Sequence, residues 1–168
     1  IYRLIYPAFK RAELATREAD QKRLLQKSMI DSIPDLIFFK DRAGNYLGCN
    51  HAFEKFVGVR ESEIIGCQAA SFFSPDTALR FTETDQKILD SEAVLREEMV
   101  VTTRDGRLVY LDTVKTPYYD TSDQVIGLIG ISRDVTAEKQ KGQQIQYLNY
   151  HDVLTGLYNR TYFQEALE

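Results

Sequence analysis

The sequence predicts an α+β domain: one five-stranded antiparallel sheet, short helices packed on one of its faces, and a further helix at each end of the chain. Three observations predict it. The elements come in the order two strands, several short helices, three strands, and turn residues bound each strand. Residues 10–31 contain neither Gly nor Pro and are rich in Ala, Glu, Gln, Lys, Arg and Leu, which favours one long helix. The length, 168 residues, holds one domain of ordinary size with a helix on either side, not two full domains.

The first helix carries Leu25, Met29 and Ile33 at i, i+4, i+8 with Leu24 beside them. That narrow stripe suits either a short parallel coiled coil or a helix folded back on the domain. Pro34 stops it, because proline cannot continue the hydrogen-bond ladder. Asp35–Lys40 is a compact run of β-formers, Asp41–Asn45 a turn, and Tyr46–Cys49 a second strand, together a hairpin. Asn50 can cap a helix carrying Ala52, Phe53 and Phe56 on one face, broken by Gly58. Glu61–Ile65 forms another turn before Gly66. Ser74-Pro75 is a helix start, serine as cap and proline at the first helical position. Ala78, Phe81, Asp85 and Ile88 then share one face of a helix reaching about Leu89. Three strands complete the domain, Leu95–Thr103, Leu108–Tyr119 and Gln124–Ser132, with Asp105-Gly106 as a hairpin signal and Asp120–Asp123 as a turn. The last strand is apolar on both faces and so predicts cover on both sides, the core on one and a helix or second subunit on the other.

Composition narrows the function. With 43% hydrophobic and 27% charged residues a packed core is within reach, and a net charge of −4 argues against a dedicated nucleic-acid binder. No run of roughly 18 apolar residues is present. Two cysteines, Cys49 and Cys67, form no disulfide framework and lack metal-site spacing. Charge is uneven: residues 1–29 balance at +4 and the remainder at −8. Ile1, Tyr2, Leu4, Ile5, Tyr6 and Phe9 running into Lys10-Arg11 read like the cytoplasmic end of a membrane-spanning helix. The expectation is a cytoplasmic domain tethered to the inner membrane through a segment upstream of Ile1.

Several landmarks in order resemble the PAS domain family. Ile33-Pro-Asp-Leu-Ile-Phe-Phe-Lys-Asp41 is similar to its opening; Asp41–Gly44, Asn50-x-Ala52-Phe53-x-x-Phe56-x-Gly58 and Glu63-Ile-Ile-Gly66 match its next landmarks. Asp105-Gly106 fits its central hairpin, and Asp134-Val-Thr136 its closing Asp-x-Thr signature. The resemblance spans residues 33–136 and implies a sensory fold. Within the family, Tyr118-Tyr119-Asp120 and Gly127–Ile131 look like the PAS domains of membrane-bound bacterial sensor kinases. A small-molecule pocket would draw on the aromatics Phe38, Phe39, Phe56, Phe72, Phe73 and Phe81, joined by Cys67, Ile88, Met99, Tyr110 and Leu128. Aromatics at these spacings also read as plain core, and Cys67 as a small core residue. Haem and flavin are not expected. Residues 75–91 offer no histidine as axial ligand, and the cysteine position of the photoactive flavin proteins, counted from Gly66, falls on Ala69. Asp134 and Thr136 read as a helix cap and as the relay from the sheet to an output helix over 137–151. The N-terminal helix occupies 1–32.

The tail points to a partner domain. Asp152-x-Leu154-Thr155-Gly156-Leu157-x-Asn159-Arg160 closely resembles the opening of the GGDEF family of diguanylate cyclases, which join two GTP, with Mg, into cyclic di-GMP. Phe163 and Leu167 continue it at helical spacing. Asp152 and Arg160 are candidates for an ion pair anchoring the linker to that domain. The resemblance places the start of the cyclase domain at 152–168 and its metal- and guanine-binding residues beyond it, so no catalysis is expected of these residues themselves. A histidine-kinase phosphoacceptor box also fits His151-Asp152, Thr155 and Leu157, but has Arg and Pro where this chain has Leu154 and Gly156. The expected assembly is a homodimer regulating a cyclase. The alternatives are a kinase input domain or a ligand-free PAS interaction module.

Overall fold

A computed structural model describes residues 2–103, 105–152, 155–160 and 162, with side chains from residue 14 onwards. Helix α1 spans Tyr2–Asp31. Strands β1 (Leu36–Asp41) and β2 (Tyr46–Cys49) form a hairpin, followed by α2 (His51–Val57), α3 (Glu61–Ile64) and a single 3-10 turn at Ala69–Ser71. Helix α4 (Pro75–Ser91), strands β3 (Leu95–Thr102), β4 (Leu108–Tyr119) and β5 (Val125–Asp134), and helix α5 (Thr136–Tyr150) complete the chain. The sheet order is β2-β1-β5-β4-β3, and all pairings are antiparallel. The last strand in sequence is therefore the central one. The predicted α+β class and five-stranded antiparallel sheet are what the structure has. The 3-10 turn is an addition to the predicted elements.

Local chemistry explains the boundaries. Asn50 and Ser74 cap α2 and α4, accepting from Phe53 N–H and Thr77 N–H, and Pro75 stands in the first turn of α4. Helix α4 runs two residues past Leu89 and stops where Glu92 turns left-handed at φ 53°. Pro117 in β4 lies beyond the end of β3, which begins opposite Lys115, so it sits where β4 has a free side and needs no donor. Gly130 stands opposite Phe38, and a Cβ there would overlap the phenyl ring. Asn50 is fully buried and knots three elements together. Its Oδ1 accepts from Ile37 N–H and Phe53 N–H, and its Nδ2 donates to the carbonyls of Ile30, Ile33 and Asp35.

The core lies between the helices and one sheet face: Leu36, Phe38, Tyr46, Phe53, Phe73, Phe81, Met99, Val101, Val109, Leu111 and Leu128. The other face is open. Ile126 and Ile131 on β5 and Val100 on β3 are exposed, so the second cover predicted for β5 is not supplied by the described residues. Nor does the α1 stripe fold back: Leu24, Leu25 and Met29 are exposed. What ties α1 down is polar. Lys27 donates to the Cys49 carbonyl at 2.6 Å and pairs with Glu61 at 2.8 Å, and Asp31 accepts from His51 N–H. Among the described residues no helix is long and apolar enough to cross a membrane.

Candidate functional site

Alternation along the strands decides what the interior contains. Leu36, Phe38 and Lys40 on β1, Leu111, Thr113 and Lys115 on β4, and Leu128, Gly130 and Ser132 on β5 face the helices. Helix α4 presents Phe81 and Asp85 to them. The result is a buried ionic cluster. Asp85 is 4% exposed, Lys40 2% and Lys115 1%. Lys40 Nζ donates to Asp85 Oδ2 at 2.6 Å, and Lys115 Nζ donates to Asp85 Oδ1 at 2.6 Å and to Thr84 Oγ1 at 2.9 Å. Lys40 also lies 4.8 Å from the Tyr46 ring centre and Lys115 5.1 Å from that of Phe81, within cation–π range. Loss of water on burial holds the Lys40 ammonium below its ordinary pKa, only partly offset by Asp85. The same burial pushes the Tyr46 hydroxyl far up. Thr113 donates to Ser132 Oγ at 2.9 Å, closing the polar strip.

Two spaces adjoin the cluster. A cavity of about 10 Å³, room for about one water, lies under the sheet among Phe38, Tyr46, Phe53, Phe56, Phe81 and Thr113. A cleft of about 470 Å³ opens between α4, the β1–β2 turn and the 3-10 turn, with Lys40 and Asp85 at its base.

The eleven expected pocket residues divide. Phe38, Phe56 and Phe81 line the small cavity. Phe73 packs edge-on against Phe81 at 5.1 Å and also lines the cleft, while Phe72 meets Tyr46 at 5.9 Å. Ile88, Met99 and Leu128 are buried core. Three expectations need correction. Phe39 stands on the opposite sheet face from Phe38, since a shift of one residue along a strand reverses the side chain's direction. Tyr110 alternates with the buried Val109 and Leu111 and so faces away from the core. Cys67 is half-buried and outside the core, its Sγ donating to the Glu63 carbonyl. The buried thiol is Cys49, which burial pushes up to about 12. Sequence reasoning missed Lys40, Tyr46, Asp85, Thr113, Lys115 and Ser132. The signal existed: Asp85 falls on the apolar face of its helix, and Lys115 falls at an inward position of an alternating strand.

Asp134 and Thr136 join the sheet to α5, though not as a simple cap. The Asp134 carboxylate accepts from Thr136 N–H at 2.9 Å. The Thr136 hydroxyl instead accepts from Tyr110 N–H in β4 at 2.9 Å, and Val135 N–H donates to the Tyr110 carbonyl. Tyr110 therefore contributes its backbone at the helix junction rather than its ring to a pocket.

The tail folds back on the end of α5. Asp152 Oδ1 accepts from Thr155 N–H and the Thr155 hydroxyl, both at 2.9 Å, and Gly156 takes φ 68°. Asp152 N–H donates to Leu157 O, Asn159 N–H to Tyr150 O, and Asn159 Nδ2 to Asn149 O at 2.7 Å. Asn159 Oδ1 accepts from Tyr162 N–H. His151 stacks on Tyr147 at 4.0 Å and bridges to Tyr158. The expected Asp152–Arg160 ion pair is not among the ion pairs of the described residues. Leu154, Phe163 and Leu167 lie outside the described residues. Also among the described residues, no group of three His, Cys, Asp or Glu could hold a metal.

Comparison with known proteins agrees with this architecture. The family profile described as PAS fold matches residues 30–140. The aerobic respiration control sensor protein ArcB of Escherichia coli is 33% identical over 121 residues, 72% of this chain and 16% of that protein. A diguanylate cyclase of Vibrio cholerae is 28% identical over 143 residues, 84% of this chain and 44% of that protein. The chain thus spans less than half the length of these relatives. Among solved structures, the PAS domain of a protein from Colwellia psychrerythraea superimposes with a TM-score of 0.59 at 23% identity, covering 68% of this chain and 98% of that one. The PAS domain of Bordetella pertussis BvgS gives 0.59 at 24%, covering 77% and 96%. Strand order, the Asp-x-Thr junction and the matched profile lead to one conclusion: the chain belongs to the PAS fold family.

Proposed function

We propose that this is the sensory and dimerisation module of a signalling protein, and that it regulates a diguanylate cyclase domain beginning at Asp152. The observation that carries the cyclase reading is the segment Asp152-x-Leu-Thr-Gly-Leu-x-Asn-Arg160, whose resemblance to the GGDEF opening is joined by a relative named as a diguanylate cyclase. Tertiary contacts support it. Asn159 spends its N–H and Nδ2 on the carbonyls of Tyr150 and Asn149, fastening the segment to the last turn of α5, while Asp152 closes the segment's own turn through Thr155 and Leu157; helix movement reaches a following domain through that connection.

The mechanism rests on the junctions. A change in the interior moves β4 and β5; the bonds from Tyr110 to Thr136 and Val135 carry the movement to α5. Two copies aligned through the exposed Leu24, Leu25 and Met29 of α1 and the exposed Ile145 and Leu148 of α5 would bring two cyclase domains, each holding one GTP with Mg, face to face. The PAS residues supply no part of that chemistry; their task is placement. The membrane-tethered location belongs to the same proposal.

A second reading has its own support: ArcB is named as a sensor protein, and a further relative, FilI of Methanothrix harundinacea, 33% identical over 119 residues, is named as a methanogenesis regulatory histidine kinase. Supplying the longer protein with GTP or ATP separates the two. Formation of cyclic di-GMP, unaffected by His151→Gln, is expected. Phosphate transfer from ATP to His151 with no cyclic dinucleotide would overturn the cyclase assignment.

A further inference from the structure

The buried ionic cluster is unbalanced. Lys40 and Lys115 share the single carboxylate of Asp85. Lys115 is enclosed and has a second acceptor in Thr84. Lys40 differs: among the described residues Asp85 is its sole hydrogen-bond acceptor, so it retains unused N–H donors. Its other neighbours are the rings of Tyr46, Phe38 and Phe81. Glu97 on β3 stands opposite Thr113 and on the same strand face as Leu95, which pairs in register with Lys115, yet it makes no ion pair with either lysine and one of its oxygens is buried without a partner.

The excess charge meets the 470 Å³ cleft, whose base holds Lys40. That volume lies within the usual range of small-molecule sites. Asp85, already bound twice, is the only carboxylate among the described residues that line it, and Arg42 stands at its mouth beside the small side chains Ala43 and Ala70. A buried ammonium with spare donors, a nearby guanidinium and no free acid in the wall favour one kind of occupant.

We propose that this cleft binds a small anion, a carboxylate or an oxoanion, with Lys40 as its main charge partner and Arg42 at the entrance. This deepens the sensory reading by naming the class of ligand, and rests on it only in taking the domain to receive a small molecule; it is independent of which output domain comes after.

The test is titration of the ¹⁵N-labelled chain, at constant ionic strength, with succinate and separately with inorganic phosphate, using succinamide as the neutral control. Saturable amide shifts at Ala43, Gly44, Ala69 and Ala70 are expected with an anion and not with succinamide. Stronger binding of succinate assigns the site to carboxylates, and stronger binding of phosphate to oxoanions. Lys40→Met, which leaves a balanced Lys115–Asp85 pair, is expected to weaken binding at least about tenfold. Ala70→Glu, at an exposed position, does the same by placing a negative charge at the mouth, and decides the matter should Lys40→Met fold poorly. No saturable shift with either anion overturns the proposal. So do shifts scattered over exposed basic residues and unchanged in both variants. Neither result touches the cyclase assay, and a failed cyclase assay leaves this titration standing.

Discussion

Replacing Asp85 by Asn tests whether the interior is held by a charge cluster or only tolerates one. The change is nearly isosteric, so packing is preserved and the missing charge is the perturbation. Each lysine stands 2.6 Å from a carboxylate oxygen, roughly 6 kcal/mol of attraction per pair at an effective dielectric of about 20. Most of that is offset by the cost of removing the three groups from water, and after the substitution two ammonium groups face a neutral amide. The expected net loss is about 3–5 kcal/mol, a large part of a total near 5–15 kcal/mol. Urea unfolding followed by far-UV circular dichroism reads it, since the chain has no Trp. The midpoint should fall with little change in slope. A companion variant, Asp85→Leu with Lys40→Met and Lys115→Met, should recover most of the loss, because an apolar substitute has no desolvation to offset. A loss below about 1 kcal/mol, the value of a surface pair, would refute the reasoning.

The same cluster has a pH signature. Burial lowers the Lys40 pKa from the ordinary 10.5, so between its folded value and 10.5 the unfolded chain binds more protons. Stability contributed by Lys40 therefore rises with pH across that window and levels off above it, and the unsubstituted protein should gain on Lys40→Met as pH approaches 10.5. Thr136→Val removes the acceptor of Tyr110 N–H and should cost about 1–2 kcal/mol, with faster hydrogen exchange in the first turns of α5 that Thr136→Ser restores. Asn50→Ala strands partners on α1, β1 and α2 at once, and a loss of at least about 3 kcal/mol in denaturant unfolding is expected. A disulfide reagent should label Cys67 in the folded protein and leave Cys49, whose thiol is pushed up to about 12 by burial and by the Glu61 carboxylate, until the chain unfolds.

Much of the fold was legible because its signals are local. The caps at Asn50 and Ser74, proline in the first turn of α4 and the Asp105-Gly106 turn act within a few residues of themselves, and strand alternation needs only adjacent positions. The pocket was less legible. Phe38 and Phe39 are adjacent, equally apolar residues, and sequence alone gives no reason to send one inward; pairing with β2 and β5 does. Asp134 and Thr136 could be recognised as a junction, but that Thr136 takes its hydrogen bond from Tyr110, 26 residues earlier, depends on β4 and β5 lying side by side.

The sequence by itself determined the class, the order of the elements, the ends of the helices and the motif carried by the tail, because propensity, turn chemistry and motif spacing are properties of neighbouring residues. Only the tertiary structure decided that Lys40, Asp85 and Lys115 meet. They come from β1, α4 and β4, separated by 45 and 30 positions, and no periodicity links them. A lysine read along the chain is a surface residue. Placed inward from two strands against one aspartate, two lysines become a buried charge excess, and the cleft beside it acquires a preference that no single segment carries.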